Sequence, residues 1–228
     1  MPKFPYSHTL PFFIYLLFLA LAQGLGSLHE ARQAWVVDWD LRWLYPLKVL
    51  FVAALLWHFR NAYSELKSFA ALTVRHWLAA VSTGVVVFVL WINLDVGWGM
   101  LTGSSSGFNP TLVDGSIDWR LVSARWLGAA IVVPVMEELF WRSFLMRWLD
   151  QADFKRVNPA RVSLRALLTA SILFGFEHQM WFAGVLAGLA YAGLYRRTAQ
   201  LWAPVVAHGV TNGLLGFWVL HTGNWQFW

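Results

Sequence analysis

The chain alternates long apolar stretches with connections that hold most of its charge. The apolar stretches cover residues 9–26, 43–59, 77–94, 121–149, 164–178, 181–195 and 201–221. A helix that rises 1.5 Å per residue needs about 20 apolar residues to cross about 30 Å of hydrocarbon, so these runs predict membrane-spanning helices. The expected fold class is all-α, a polytopic transmembrane bundle of about seven spans. The first run follows Lys3, and its Ala20, Leu21 and Ala22 resemble a signal-peptidase site. Because the run continues apolar past Ala22 to Gly26, a retained helix is the expectation. Lys48 lies near one end of the second run, where its long stem can snorkel to the interface. Arg60, Lys67 and Arg75 surround a candidate short amphipathic surface helix.

The longest connection, residues 95–120, holds a Gly-x-Ser-x-Gly match around Ser105. That motif needs a strand-to-helix elbow, and nothing nearby reads as α/β, so the segment is taken as a loop.

Composition sharpens the membrane reading. The chain is 58% hydrophobic and 13% charged, where a soluble domain is about one quarter charged. Among the 16 tryptophans, Trp43, Trp57, Trp77, Trp91, Trp119, Trp148, Trp181, Trp202 and Trp218 stand where apolar runs end, as an aromatic belt at the lipid headgroups requires. The net charge of +5 resides in the connections, so it bears on orientation and gives no support to nucleic-acid binding. With the N-terminus cytoplasmic, one side holds Lys3, Arg60, Lys67, Arg75, Arg147, Lys155, Arg156, Arg161, Arg165, Arg196 and Arg197. The other holds Arg32, Arg42 and Arg120, which makes the N-in arrangement the expectation. The absence of cysteine excludes disulfides, thiolate metal ligands and a cysteine nucleophile.

Against this apolar background three groups of polar residues stand out. Glu137 and Glu138 follow Pro134 in the fourth run, and ionisable groups at membrane depth are costly enough to mark functional cavities. Neighbours on a helix point about 100° apart, so the two glutamates face different partners. Glu138 shares a face with Arg142, four residues on, and is expected to pair with it. Glu137 has no mate in its own helix and is a general-base candidate. Pro134 should kink the helix and free a backbone carbonyl. Phe174 and His178 lie four apart at the end of the fifth run, with Glu177 beside the histidine; His208 and Asn212 share a face of the seventh.

Glu137-Glu138 with Arg142, then Phe174 with His178, then His208 with Asn212 resembles the CAAX prenyl endopeptidase and bacteriocin-processing family of glutamate-type intramembrane proteases. The match runs from about Pro134 to Asn212. It implies that Glu137 and His178 activate water, that His208 and Asn212 form the oxyanion hole, and that Glu138, Arg142 and Phe174 support the site, with no metal or cofactor. The expected organisation has two parts: residues 1–120 as N-terminal transmembrane helices with an external loop, and residues 121–228 as the catalytic helical core. The length and the Trp-rich helices further resemble the bacterial branch associated with exosortase-type C-terminal sorting. The expected substrate is then a membrane-anchored protein or peptide cut near its C-terminus, in the bacterial cytoplasmic membrane. Glu177, beside His178, is a candidate second carboxylate in the cavity, a departure that the quoted motifs do not require.

Two alternatives stay open from the residues. Glu137, His178 and His208 could be the two-His, one-carboxylate set of a zinc protease, although there is no His-Glu-x-x-His. The polar groups could instead serve a non-enzymatic scaffold, immunity protein or transporter; confinement of the site to the second half argues against the repeats that transport would require.

Overall fold

Each apolar run closes into a helix in the computed structural model, which describes residues 5–31, 40–101 and 107–228. The Ser105 motif falls outside the described residues. The helices are α1 (Tyr6–Ala31), α2 (Leu44–His58), α3 (Val74–Asn93), α4 (residues 119–148), α5 (Leu164–Phe176), α6 (Trp181–Thr198) and α7 (Trp202–Thr222). Among the described residues the β structure is a single bridge, between Thr111 and Ile117. Three helices, Tyr6–Gly26 of α1, α3 and α7, are long and apolar enough to cross a membrane, and α5 is a shorter apolar helix. Apolar side chains such as Leu17 on α1 and Val86 on α3 are exposed, as a lipid-facing surface would have them. The fold is an all-helical bundle of an integral membrane protein.

Local chemistry sets the ends of these helices. Asp118 caps α4 by accepting from the amides of Arg120 at 3.0 Å and Leu121 at 3.4 Å, satisfying donors that have no partner within the helix. Ser163 caps α5 through the amide of Ala166 at 3.1 Å. Thr73 and His76 form a reciprocal capping box at the start of α3. Gly223 takes a left-handed φ of 72° to end α7.

Helix α4 occupies the middle of the bundle, with α1 and α2 on one flank and α5 and α7 on the other. On the α1 side the rings of Phe12 and Phe140 stack 3.9 Å apart. The helix passes through two π-helical stretches, Gly128–Val132 and Leu139–Leu145, with an α-helical segment, Val133–Glu138, between them. The first stretch meets Pro134, which has no amide hydrogen to donate. The expected adjustment at the proline therefore takes the form of a change in hydrogen-bond register.

Close approach of the other helices depends on small residues. A Cβ on Gly188 of α6 would stand 2.9 Å from the carbonyl oxygen of Ser171 on α5. One on Gly209 of α7 would stand 2.8 Å from the Ala130 carbonyl oxygen of α4. Glycine at 209 thus lets α7 lie directly on the segment whose ladder Pro134 interrupts.

The surface segment between α2 and α3 is 3₁₀-helical over Arg60–Ala62 and Ser64–Ala71. Glu65 reaches inward from it, pairing with Arg147 at 3.0 Å and accepting from the hydroxyls of Ser143 and Tyr195. At the opposite end of α2, Arg42 pairs with Asp40 at 2.8 Å and donates to the Thr111 carbonyl at 2.8 Å. The side-chain hydrogen bonds from Arg42 hold the Asp40 carboxyl below its usual range.

Lys48 departs from the sequence expectation. It does not snorkel: it is 3% exposed, with its ammonium 3.9 Å from the ring centroid of Tyr15 and 4.6 Å from that of Tyr45. Two electron-rich ring faces inside the bundle take the place of headgroup water.

Candidate active site

A cavity of about 180 Å³ lies between α4, α7 and the end of α5. Glu137, Phe174, His178, His208 and Asn212 all line it. Three separate helical segments therefore deliver the expected polar groups to one space. The stripe Arg125, Ala129, Val133 and Glu137, each four residues from the next on α4, forms one wall. Tyr15, Tyr45 and Trp91 add walls from α1, α2 and α3, so the first half of the chain helps to enclose the site.

Glu138 and Arg142 lie behind this wall. Their side chains are 0% and 2% exposed, and Arg142 Nε stands 3.1 Å from Glu138 Oε2, the pairing their spacing predicts. The guanidinium also lies 4.3 Å above the ring centroid of Phe174, and its Nη2 donates to the Gly188 carbonyl at 3.4 Å. Phe174 thus supports the arginine through its ring face, a favourable place for a desolvated cation.

The two histidines are held differently. His208 Nδ1 lies 3.0 Å from Glu138 Oε1, and its Nε2 lies 4.0 Å from Glu137 Oε2. An ionised carboxylate can only accept, so with Glu138 charged against Arg142 the proton of the pair belongs on Nδ1. When His208 is neutral, Nε2 then carries a lone pair toward Glu137. Tyr191 stacks on this imidazole at 5.0 Å, and its hydroxyl donates to Thr211 at 2.7 Å. Thr211 donates in turn to the Gly84 carbonyl at 2.9 Å or the Ala207 carbonyl at 3.1 Å, tying α6 and α7 to α3.

His178 Nδ1 lies 2.8 Å from the Phe174 carbonyl oxygen. A carbonyl accepts only, which assigns the proton to Nδ1 and leaves Nε2 as the basic nitrogen. The ring packs 5.4 Å from Trp91 and 4.7 Å from Phe174.

Glu137 is 4% exposed, and its Oε2 has no hydrogen-bond partner among the described residues. A buried carboxylate oxygen left open on a cavity wall is placed to meet water or a substrate group.

Asn212 Nδ2 donates to the Ala129 carbonyl at 2.8 Å. In π register that carbonyl would receive the amide of residue 134, which is proline, so the asparagine answers the acceptor that the proline releases. One amide hydrogen of Asn212 is thereby committed and one remains.

Glu177 does not line the cavity; it accepts from Trp141 Nε1 at 3.0 Å. Among the described residues no group of three His, Asp or Glu side chains is spaced to hold a metal ion, so Glu137, His178 and His208 do not assemble as a zinc ligand set here.

Sequence reasoning overlooked Tyr191, Thr211 and Arg125. Arg125 was detectable as a charge inside an apolar run, whereas Tyr191 and Thr211 look like ordinary helix positions.

Residues 119–214 match the family model described as Rce1-like, type II CAAX prenyl endopeptidase. Comparison with curated proteins and with solved structures gave no match.

Proposed function

We propose that this protein is a glutamate-type intramembrane peptidase that cuts a membrane-anchored protein or peptide near its C-terminus, a reading supported by the match of residues 119–214 to the Rce1-like family model of type II CAAX prenyl endopeptidases. The observation that carries the reading is the convergence of Glu137, His178, His208 and Asn212 on one cavity.

In this reading Glu137 and His178 Nε2 share the activation of one water, taking its proton as oxygen attacks the scissile carbonyl. The proton then passes to the leaving amine. Asn212 donates its remaining amide hydrogen to the developing oxyanion. His208 can donate from Nε2 only as an imidazolium, because its Nδ1 proton is engaged by Glu138. Glu138, itself held by Arg142, fixes the orientation of this imidazole.

We read the orientation as N-terminus cytoplasmic with seven spans, on the distribution of Lys and Arg between the two sets of connections. The side of the cavity marked by Arg125, Phe227 and Trp228 then faces outward. Such an arrangement suits a sorting protease of the bacterial cytoplasmic membrane, in the exosortase-associated branch. The test is to compare the membrane proteome of cells carrying the wild-type protein with that of cells carrying Glu137→Gln at matched folded amounts. One class of proteins should show shortened C-termini in the wild type alone. Identical C-termini in the two membranes would reject the proposal.

A further inference from the structure

A second cavity, about 400 Å³, lies between α1, α2 and α4 and shares Tyr45, Arg125 and Trp228 with the first. Arg42, Lys48 and Arg125 line it, and among the described residues no Asp or Glu does. Arg42 is already paired with Asp40. The other two cations differ: Lys48 is 3% exposed and has neither a hydrogen bond nor an ion pair among the described residues. Arg125 has a buried Nε with no hydrogen-bond partner there, and its guanidinium lies 4.3 Å from the Tyr45 ring centroid. Buried cations are costly without a counter-charge, and ring faces offset only part of that cost. Lys48 and the half-buried Arg125, turned toward a cavity with no acid among its described lining residues, are arranged for an incoming anion.

We propose that Lys48 and Arg125 receive the terminal carboxylate of the peptide substrate, a site that rests on the peptidase reading above. The α4 stripe gives the direction. Arg125, Ala129, Val133 and Glu137 line one continuous wall, so a peptide laid along it with its scissile bond at Glu137 brings its end to Arg125. Twelve helical residues cover about 18 Å, and an extended peptide spans that with roughly five or six residues. Longer chains would overrun the cations and shorter ones would fall short. The pair would therefore make the enzyme read distance from a free C-terminus. A lipid phosphate has the same charge chemistry, but it has no reason to lie in register with the catalytic stripe.

The test measures binding, independently of turnover. Full-length protein carrying Glu137→Gln is placed in phosphatidylcholine nanodiscs, and its tryptophan fluorescence is titrated with an N-dodecanoyl Ala/Leu hexapeptide as the free acid and as the C-terminal amide. The free acid should bind at least tenfold more tightly, since a charge-assisted contact is lost on amidation. Lys48→Met and Arg125→Gln should each remove most of that difference, while Lys48→Arg and Arg125→Lys should keep it. An acid preference below threefold, including binding of neither peptide, overturns the proposal, and this arm needs no cation variant to fold. Replacing the lipid with phosphatidylglycerol provides the other arm. If it abolishes the acid preference, the pair belongs to a lipid headgroup and the proposal falls. A tenfold acid preference in a protein that cuts nothing would instead leave this site standing and remove the peptidase reading.

Discussion

Replacing Glu138 by glutamine removes one charge from a pair that has almost no access to water. Arg142 would keep the Gly188 carbonyl at 3.4 Å and the Phe174 ring at 4.3 Å, but would lose the carboxylate it pairs with at 3.1 Å. Its Nη1 already lacks a hydrogen-bond partner among the described residues, so little can compensate. Breaking a buried pair from one side typically costs about 3–5 kcal/mol, because the survivor is left as an uncompensated charge. At roughly 2–4 °C per kcal/mol for a chain of this size, the melting temperature should fall by about 6–20 °C. The assay is thermal unfolding in a fixed detergent, followed by intrinsic tryptophan fluorescence. The double variant Glu138→Gln/Arg142→Met should recover most of the loss, since removing both charges also removes the stranded cation. A single variant melting within 2 °C of wild type, or a double variant no better than the single, would refute the argument.

Asn212→Ala should lower turnover by about 10²–10³ with substrate affinity little changed, because the lost donor acts on charge that develops in the transition state; single-turnover kinetics beside equilibrium binding separate the two. Activity should survive exhaustive chelation, whereas loss on chelation and recovery with one zinc per chain would establish the metalloprotease. Single cysteines placed in the cysteine-free chain should be labelled from the cytoplasm within residues 150–165 and from outside within residues 107–118. Labelling of both segments from the same side would overturn the seven-span, N-in arrangement.

Much of the bundle was legible because hydrophobic run length and helical spacing are local signals. The seven apolar runs became seven helices, and Glu138 found Arg142 because four residues on a helix fix their separation. The cross-helix relations were not legible. Spacing within α7 put His208 and Asn212 on one face, but it could not reveal that His208 would span both glutamates. Nor could the sequence show that Asn212 would answer a carbonyl on α4, although Pro134 announced that a carbonyl would be released. Lys48 was misjudged because its distance from a helix end says nothing about Tyr15, which comes from another helix. Glu65 looked like a residue of a solvated surface segment, yet its partners lie on α4 and α6, roughly 80 and 130 positions away. In each case the deciding contact joins residues that only the folded bundle brings together.

The central claim is that Glu137 and His178 deliver water to a peptide bond, and the origin of the oxygen tests it most directly. A substrate found by C-terminal profiling would be cleaved by the purified protein in H₂¹⁸O, and the new C-terminus examined by mass spectrometry. The account predicts one solvent-derived ¹⁸O in the new carboxylate with the wild-type protein, and no product from an equally folded Glu137→Gln. A product without solvent oxygen would show acyl transfer to another nucleophile, and undiminished cleavage by Glu137→Gln would remove the glutamate from the chemistry; either result contradicts the account.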